Sequence, residues 1–335
     1  MKKLGIAATL VCAVALIAKV GGASFAPGSR IQILAHNAYP DHGNYSDRLD
    51  RAIASGVPFV VEEDLAWVDG KSLLIHGAKN VASDYPTLES YFFPKVRPVI
   101  EKALRENDKK QWPVITLYLD IKNDPLEHLA AISKVLDQYG SWLTTAVKTD
   151  DPAKQSPLDL KPMMVLVEDK QGDSNKQEAF YDRVPVGGKI QVFGSVAKPD
   201  ANPGKRLSKQ EAIDRMIDVD PEQVTSQRAD NYHRWWGVDW AYIEKGGETN
   251  GAPWTLEANS RLRKWVNYGH RLGYVMSVYC LDGYTADENQ GWDKDYNFGS
   301  RDAVLPRWRA ATAAAPDFIS TDQYEQLAKL IRAKQ

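Results

Sequence analysis

What most limits how this chain can fold is a rhythm of short apolar, β-branched or aromatic runs, with helical patterns between several of them. The runs lie at 31–36 (IQILAH), 58–65 (PFVVEEDL), 113–121 (PVITLYLDI), 163–168 (MMVLVE), 189–194 (KIQVFG), 238–243 (VDWAYI), 273–280 (GYVMSVYC) and 317–320 (DFIS). Each reads as a strand. Between the third and fourth, NDPLEHLAAISKVLDQYG is the clearest helix. Asp124 suits its cap, Pro125 its first turn and Gly140 its end, while Leu126, Leu129, Ile132, Leu136 and Tyr139 form one stripe. Further helices are expected near 46–55, 86–107, 207–217, 256–271 and 322–333. The segments 144–160, 197–206 and 283–300 read as loops.

Eight strands interleaved with helices in 335 residues point to an α/β chain folded as a single-domain (β/α)8 (TIM) barrel. Its functional groups would gather at the C-terminal ends of the strands. A doubly wound open sheet is the alternative, but no Gly-rich phosphate loop follows the first strand.

The N-terminus stands apart. MKKLGIAATLVCAVALIAKVGGASFA has two lysines, an apolar run and then small residues, the pattern of a secretory signal peptide cleaved after Ala23. The run is short and contains Lys19, which disfavours a permanent anchor. The expectation is a signal peptide at 1–23 and a secreted or periplasmic barrel at 24–335, with no stable membrane insertion. Cleavage would leave Cys280 as the sole cysteine, so no intramolecular disulfide can form. A formal charge of −2 and a pI near 6.3 provide no basic field for nucleic acid or an anionic membrane; any phosphate recognition must be local.

The strand ends carry the chemistry. The first ends at His36-Asn37. In the second, VVEEDLAW, a period of two puts Glu62 and Asp64 on one face and Glu63 on the other. A short return strand, KSLLIHG, ends at His76. The third, TLYLDIKND, sets Asp120 and Lys122 on one face. Three carboxylates converging from adjacent strands need a positive charge between them. A hard divalent cation held through oxygen, Mg²⁺ or Ca²⁺, fits Glu62, Asp64 and Asp120. Two histidines beside it suit acid–base work near neutral pH. With Lys122 as a fixed positive charge, the cluster suits cleavage of an anionic group, a phosphodiester above all.

The order H-N, E-x-D, a histidine after a short return strand, then D-x-K resembles the phosphodiesterase superfamily of glycerophosphodiester phosphodiesterases, phosphatidylinositol-specific phospholipase C and venom-type phospholipase D. PDFISTDQYEQL is similar to that superfamily's last strand and helix. The correspondence is dense over 31–122 and thin from about 140 to 270. The resemblance implies that His36 and His76 are paired acid–base catalysts, His36 facing the attacking hydroxyl or water and His76 the leaving oxygen, or the reverse. It further implies that Glu62, Asp64 and Asp120 bind the metal and that Lys122 stabilises charge on phosphate. The implied substrate is a small-molecule or lipid-headgroup phosphodiester. The chain departs from glycerophosphodiesterases where Asn37 stands for arginine, where AYPDHGNY follows in place of a P-E-N-T-like turn, and where Asp120 stands for glutamate. Asn37 and Asp120 favour the branch resembling fungal mitochondrial-inheritance-type proteins and the venom phospholipases.

Other residues support competing readings. Asn37 can donate to phosphate, and Trp240 or Tyr279, by resemblance to phospholipase-like relatives, lines the substrate pocket. Tryptophan-rich stretches suit sugar stacking, so a retaining glycosidase with Glu168 and Asp282 as its carboxylate pair is one alternative. A binding protein that kept the barrel without turnover is another. His42 reads as solvated or substrate-facing, His128 as a surface residue, and His233 and His270 as structural.

Overall fold

The computed structural model describes residues 25–40, 45–77, 85–168, 176–196, 208–249, 252–285, 287–288 and 296–333. The expected signal peptide and His42 lie outside these residues. Eight parallel strands close on themselves: β1 (Gln32–Ala35), β2 (Phe59–Val68), β4 (Ile115–Ile121), β7 (Met163–Val167), β9 (Val192–Ser195), β10 (His233–Asp239), β11 (Val275–Tyr279) and β12 (Phe318–Thr321). β1 pairs with β12 on one side and with β2 on the other, which completes the (β/α)8 barrel. The return strand β3 (Lys71–Leu74) runs antiparallel to the end of β2. The expected loop at 144–160 contains β5 (Thr145–Val147) and β6 (Leu158–Asp159), which join β8 (Lys189–Ile190) in a small antiparallel sheet. The single run expected at 189–194 is thus divided between two sheets.

Helices α1 (Arg48–Ala54), α2 (Phe93–Glu106), α3 (Leu126–Gln138), α4 (Ala179–Asp182), α5 (Lys209–Met216), α6 (Pro221–Val224), α7 (Leu256–Leu272) and α8 (Arg301–Ala314) lie between the strands, and α9 (Tyr324–Arg332) follows the last. Each of the longer ones buries one stripe. In α2 the stripe is Phe93, Val96, Ile100 and Ala103, and in α7 it includes Leu262, Trp265 and Val266. Burying side chains of this size contributes about 1.5–3 kcal/mol each. α3 departs from expectation at its start, where Pro125 itself takes the cap position in an extended conformation and leaves Leu126 exposed. α8 was not foreseen, because its buried face includes three small residues, Ala310, Ala311 and Thr312, and Pro306 interrupts the pattern; Ser300 caps it.

The sixth barrel strand begins earlier than its apolar run suggests. β10 pairs with β9 from His233 onward and stops at Asp239, whose side chain accepts the Ala241 N–H at 2.8 Å and turns the chain into a 3₁₀ helix. Local capping by aspartate competes with strand continuation here. The shift puts Trp235 inside the barrel.

Candidate active site

The cavity at the C-terminal end of the barrel has a volume of about 550 Å³. The alternation in β2 and β4 builds one wall. Their register places Glu62 beside Tyr118 and Asp64 beside Asp120, so four polar groups project inward. Glu63 points outward, where it is buried with no hydrogen-bond partner for either carboxylate oxygen among the described residues. Burial, with the neighbouring Asp64 and Glu62, pushes its carboxyl well above the usual range.

The ligating oxygens of Glu62, Asp64 and Asp120 all lie within 4.8 Å of one another. Asp64 is 0% exposed. Its Oδ2 accepts from Tyr39 at 2.6 Å and pairs with Lys122 at 3.0 Å. Its Oδ1 is buried with no hydrogen-bond partner among the described residues. An orphaned carboxylate oxygen in an all-oxygen set is what a hard dication would satisfy, so these residues fit Mg²⁺ or Ca²⁺. Burial, with Asp64 and Asp120 close by, lifts the Glu62 carboxyl to about 8, although His36 and Lys122 oppose the rise. Lys122 also donates to Asp120 at 2.7 Å. Burial pulls its ammonium down, but Asp120, Asp64 and Glu62 outweigh that and hold it charged.

His36 follows β1 and is held by its backbone: its N–H donates to Thr321 O at 3.3 Å, and its carbonyl accepts from the Tyr324 hydroxyl at 2.6 Å. The ring lies between two carboxylates. Nδ1 donates to Asp322 at 3.1 Å, and Nε2 lies 3.8 Å from Glu62. Burial alone would lower the imidazole; Glu62, Asp322 and Asp282 outweigh it and raise it to about 9. Asp322 in turn accepts from the buried Arg48 at 2.9 Å. Asp322, which holds the His36 ring, is among the site residues that the expectations did not name. Its signal was the aspartate after the last strand, within the quoted PDFISTDQYEQL.

The structure brings most of the other expected residues to this cavity. His76 lines it from the return strand, 65% exposed, with Nε2 3.9 Å from Asp64. Asn37 lines it in the left-handed conformation, φ 48°. Asparagine tolerates that region better than most residues do, and its Nδ2 lies 3.1 Å from His36 Nε2. Tyr279 lines it too, as do Trp235, Tyr296 and Glu168. Trp240 does not line it. Its ring is buried, stacks on Trp254 and donates to Glu244 at 3.0 Å, and Trp235 takes the inward position instead. Of the proposed glycosidase pair, Glu168 lines the cavity, with Tyr118 donating to it at 2.8 Å. Asp282 lies behind the wall, accepting from the Thr321 hydroxyl at 2.6 Å and the Asp322 N–H at 2.7 Å.

No family model and no curated protein matches this sequence. Several solved structures are distantly similar, three of them as follows. One is a glycerophosphoryl diester phosphodiesterase from Parabacteroides distasonis: 14% identity, TM-score 0.40, covering 91% of this chain and 87% of that one. Another is a Plasmodium falciparum HPPK-DHPS, at 11% identity and TM-score 0.47 over 92% of this chain and 48% of that one. The third is 7,8-dihydropteroate synthase from Vibrio fischeri, at 13% identity and TM-score 0.35 over 92% and 94%. Likenesses this distant select none of these chemistries. The site's own geometry is the stronger guide.

The other histidines among the described residues, His128, His233 and His270, do not line the cavity. His128 is buried, against the expectation of a surface position, with Nδ1 donating to Asn123 O at 2.7 Å and Nε2 accepting from Ser72 at 2.8 Å. His233 pairs with Asp230, and His270 with Asp317 at the far end of the barrel. Among the described residues, no helix is long and apolar enough to cross a membrane.

Proposed function

We propose that this chain is an exported, metal-dependent phosphodiesterase acting on a small-molecule or lipid-headgroup phosphodiester. One observation carries the reading: His36, oriented by Asp322 on one ring nitrogen, presents the other to a carboxylate trio that has an unsatisfied buried oxygen. In its neutral form, which the raised value of about 9 places at alkaline pH, a histidine fixed in this way takes a proton from an attacking hydroxyl at Nε2, while Asp322 stabilises the imidazolium that forms. His76, on the exposed rim of the same cavity, gives a proton to the leaving oxygen. Lys122 places its positive charge where negative charge builds up on the phosphoryl oxygens, and Asn37 donates to one of them. Glu62, Asp64 and Asp120 would hold a Mg²⁺ or Ca²⁺, which when bound supplies Lewis-acid polarisation of the phosphoryl group. Export rests on the residue pattern of 1–23.

The test is turnover of a bis-aryl phosphate. Chelation is expected to abolish it, with Mg²⁺ or Ca²⁺ restoring it. His36→Ala and His76→Ala should each lower the rate by on the order of 10²–10⁴ with the fold intact by circular dichroism. Activity that survives chelation would remove the metal from the reading, and a normal rate in either variant would break the histidine pairing.

A further inference from the structure

A second group of metal-ligating side chains lies behind His36. Cys280 and Asp282 follow the end of β11, and one ligand atom each from His36, Cys280 and Asp282 lies within 4.8 Å of the others. Both newcomers are buried. Asp282 is fixed through Oδ1, which accepts from Thr321 and from the Asp322 amide. Its Oδ2 meets the Cys280 thiol at 3.5 Å, a weak donor. The phosphodiesterase reading assigns no role to this thiol.

The two donor sets differ in kind. Glu62, Asp64 and Asp120 offer three hard oxygens, whereas this group offers nitrogen, sulfur and oxygen, the set that Zn²⁺ and Cd²⁺ select over Mg²⁺ or Ca²⁺. We propose that His36, Cys280 and Asp282 form a second cation site, selective for a thiophilic dication such as Zn²⁺, whose occupation withdraws His36 from the reaction. The group is held in place on two sides: Asp322 accepts from His36 Nδ1 at 3.1 Å, and Glu248 accepts the Cys280 N–H at 3.1 Å. The free thiol keeps its proton, because burial and the Asp282 and Asp322 carboxylates raise it well above the usual range. Binding forms a sulfur–metal bond and releases that proton to solvent, and the imidazole gives up its own ring proton where a nitrogen coordinates. His36 lines the cavity, which provides the route in.

Binding at this site does not depend on the proposed reaction; only the inhibition rests on it. The experiment therefore reads both. Full-length protein in a Cys12→Ala background, saturated with Mg²⁺, is titrated with Cd²⁺ while the thiolate-to-cadmium charge-transfer band and bis-aryl phosphate turnover are recorded. One Cd²⁺ per chain is expected to produce the band as turnover falls. Cys280→Ala should abolish the band and, relative to its own rate in Mg²⁺ alone, raise the inhibitory Cd²⁺ concentration by on the order of 100-fold. Asp282→Asn should weaken the band, and Asp64→Asn should leave it in place. No band in the parent, or equal Cd²⁺ inhibition in parent and Cys280→Ala, overturns the proposal. A normal band in a protein that never turns over the phosphodiester upholds the site and removes the phosphodiesterase reading instead.

Discussion

The last barrel strand, β12, carries an aspartate at each end, and each aspartate holds a histidine. At the bottom, Asp317 accepts from His270 at 2.8 Å, from the Gly28 N–H at 2.7 Å and from the Met276 N–H at 2.8 Å. At the mouth, Asp322 accepts from His36 and from Arg48. The residue types match, but the surroundings do not. Asp317 spends its oxygens on backbone donors that fasten the N-terminal segment and β11 beneath the barrel. Asp322 holds a ring whose other nitrogen faces Glu62, an open cavity and carboxylates in excess of their counter-charges. A carboxylate–histidine pair is therefore a structural clamp or a chemical group according to what the second ring nitrogen meets.

Swapping the injuries separates these roles. Asp322→Asn is expected to have the largest effect. It leaves the buried Arg48 without its counter-charge, at a cost of about 3–5 kcal/mol in a urea titration. It also frees the His36 ring, so turnover by the molecules that remain folded should fall by about 10²-fold or more. Asp317→Asn forces an amide N–H against backbone or imidazole donors and should lower stability by about 1–3 kcal/mol, with turnover per folded molecule unchanged. A loss of turnover there equal to that of Asp322→Asn would erase the distinction between the two ends.

Lys122→Met probes the mouth alone. Removing an ammonium that lies 2.7 and 3.0 Å from two carboxylates should tighten dication binding, measured by calorimetry, while lowering kcat. Weaker dication binding would show that Lys122 helps to hold the trio in shape rather than competing with the cation.

The smallest effect concerns a third histidine. His128 is buried as the neutral ring, and burial lowers its pKa, although the bond to Asn123 opposes this. A histidine lowered on folding favours the native state above its unfolded value of about 6.5 and loses that contribution as pH falls below it. Stability should therefore decline from pH 7 toward pH 5, and His128→Gln should flatten that part of the profile. An unchanged slope would show that other groups set it.

How much of this was legible depended on the range of each cause. The inward face of Glu62, Asp64, Asp120 and Lys122 could be read from strand alternation, because that periodicity belongs to the local backbone. Whether Trp235 or Trp240 entered the barrel could not, since it depended on where β10 begins pairing with β9 and on the Asp239 cap. His128 looked like a surface residue because its partner Ser72 lies 56 positions away.

By itself, then, the sequence determined the eight-strand rhythm and which side chains of β2 and β4 share a face, both consequences of short-range geometry. Only the tertiary structure could decide which histidine is a clamp, which is poised over the carboxylates, and which thiol lies behind it. The pairing of β1 with β12 closes the barrel and brings His36 to Asp322 across 286 residues of chain. No local pattern encodes a contact of that span, because it exists only once the whole ring of strands has closed.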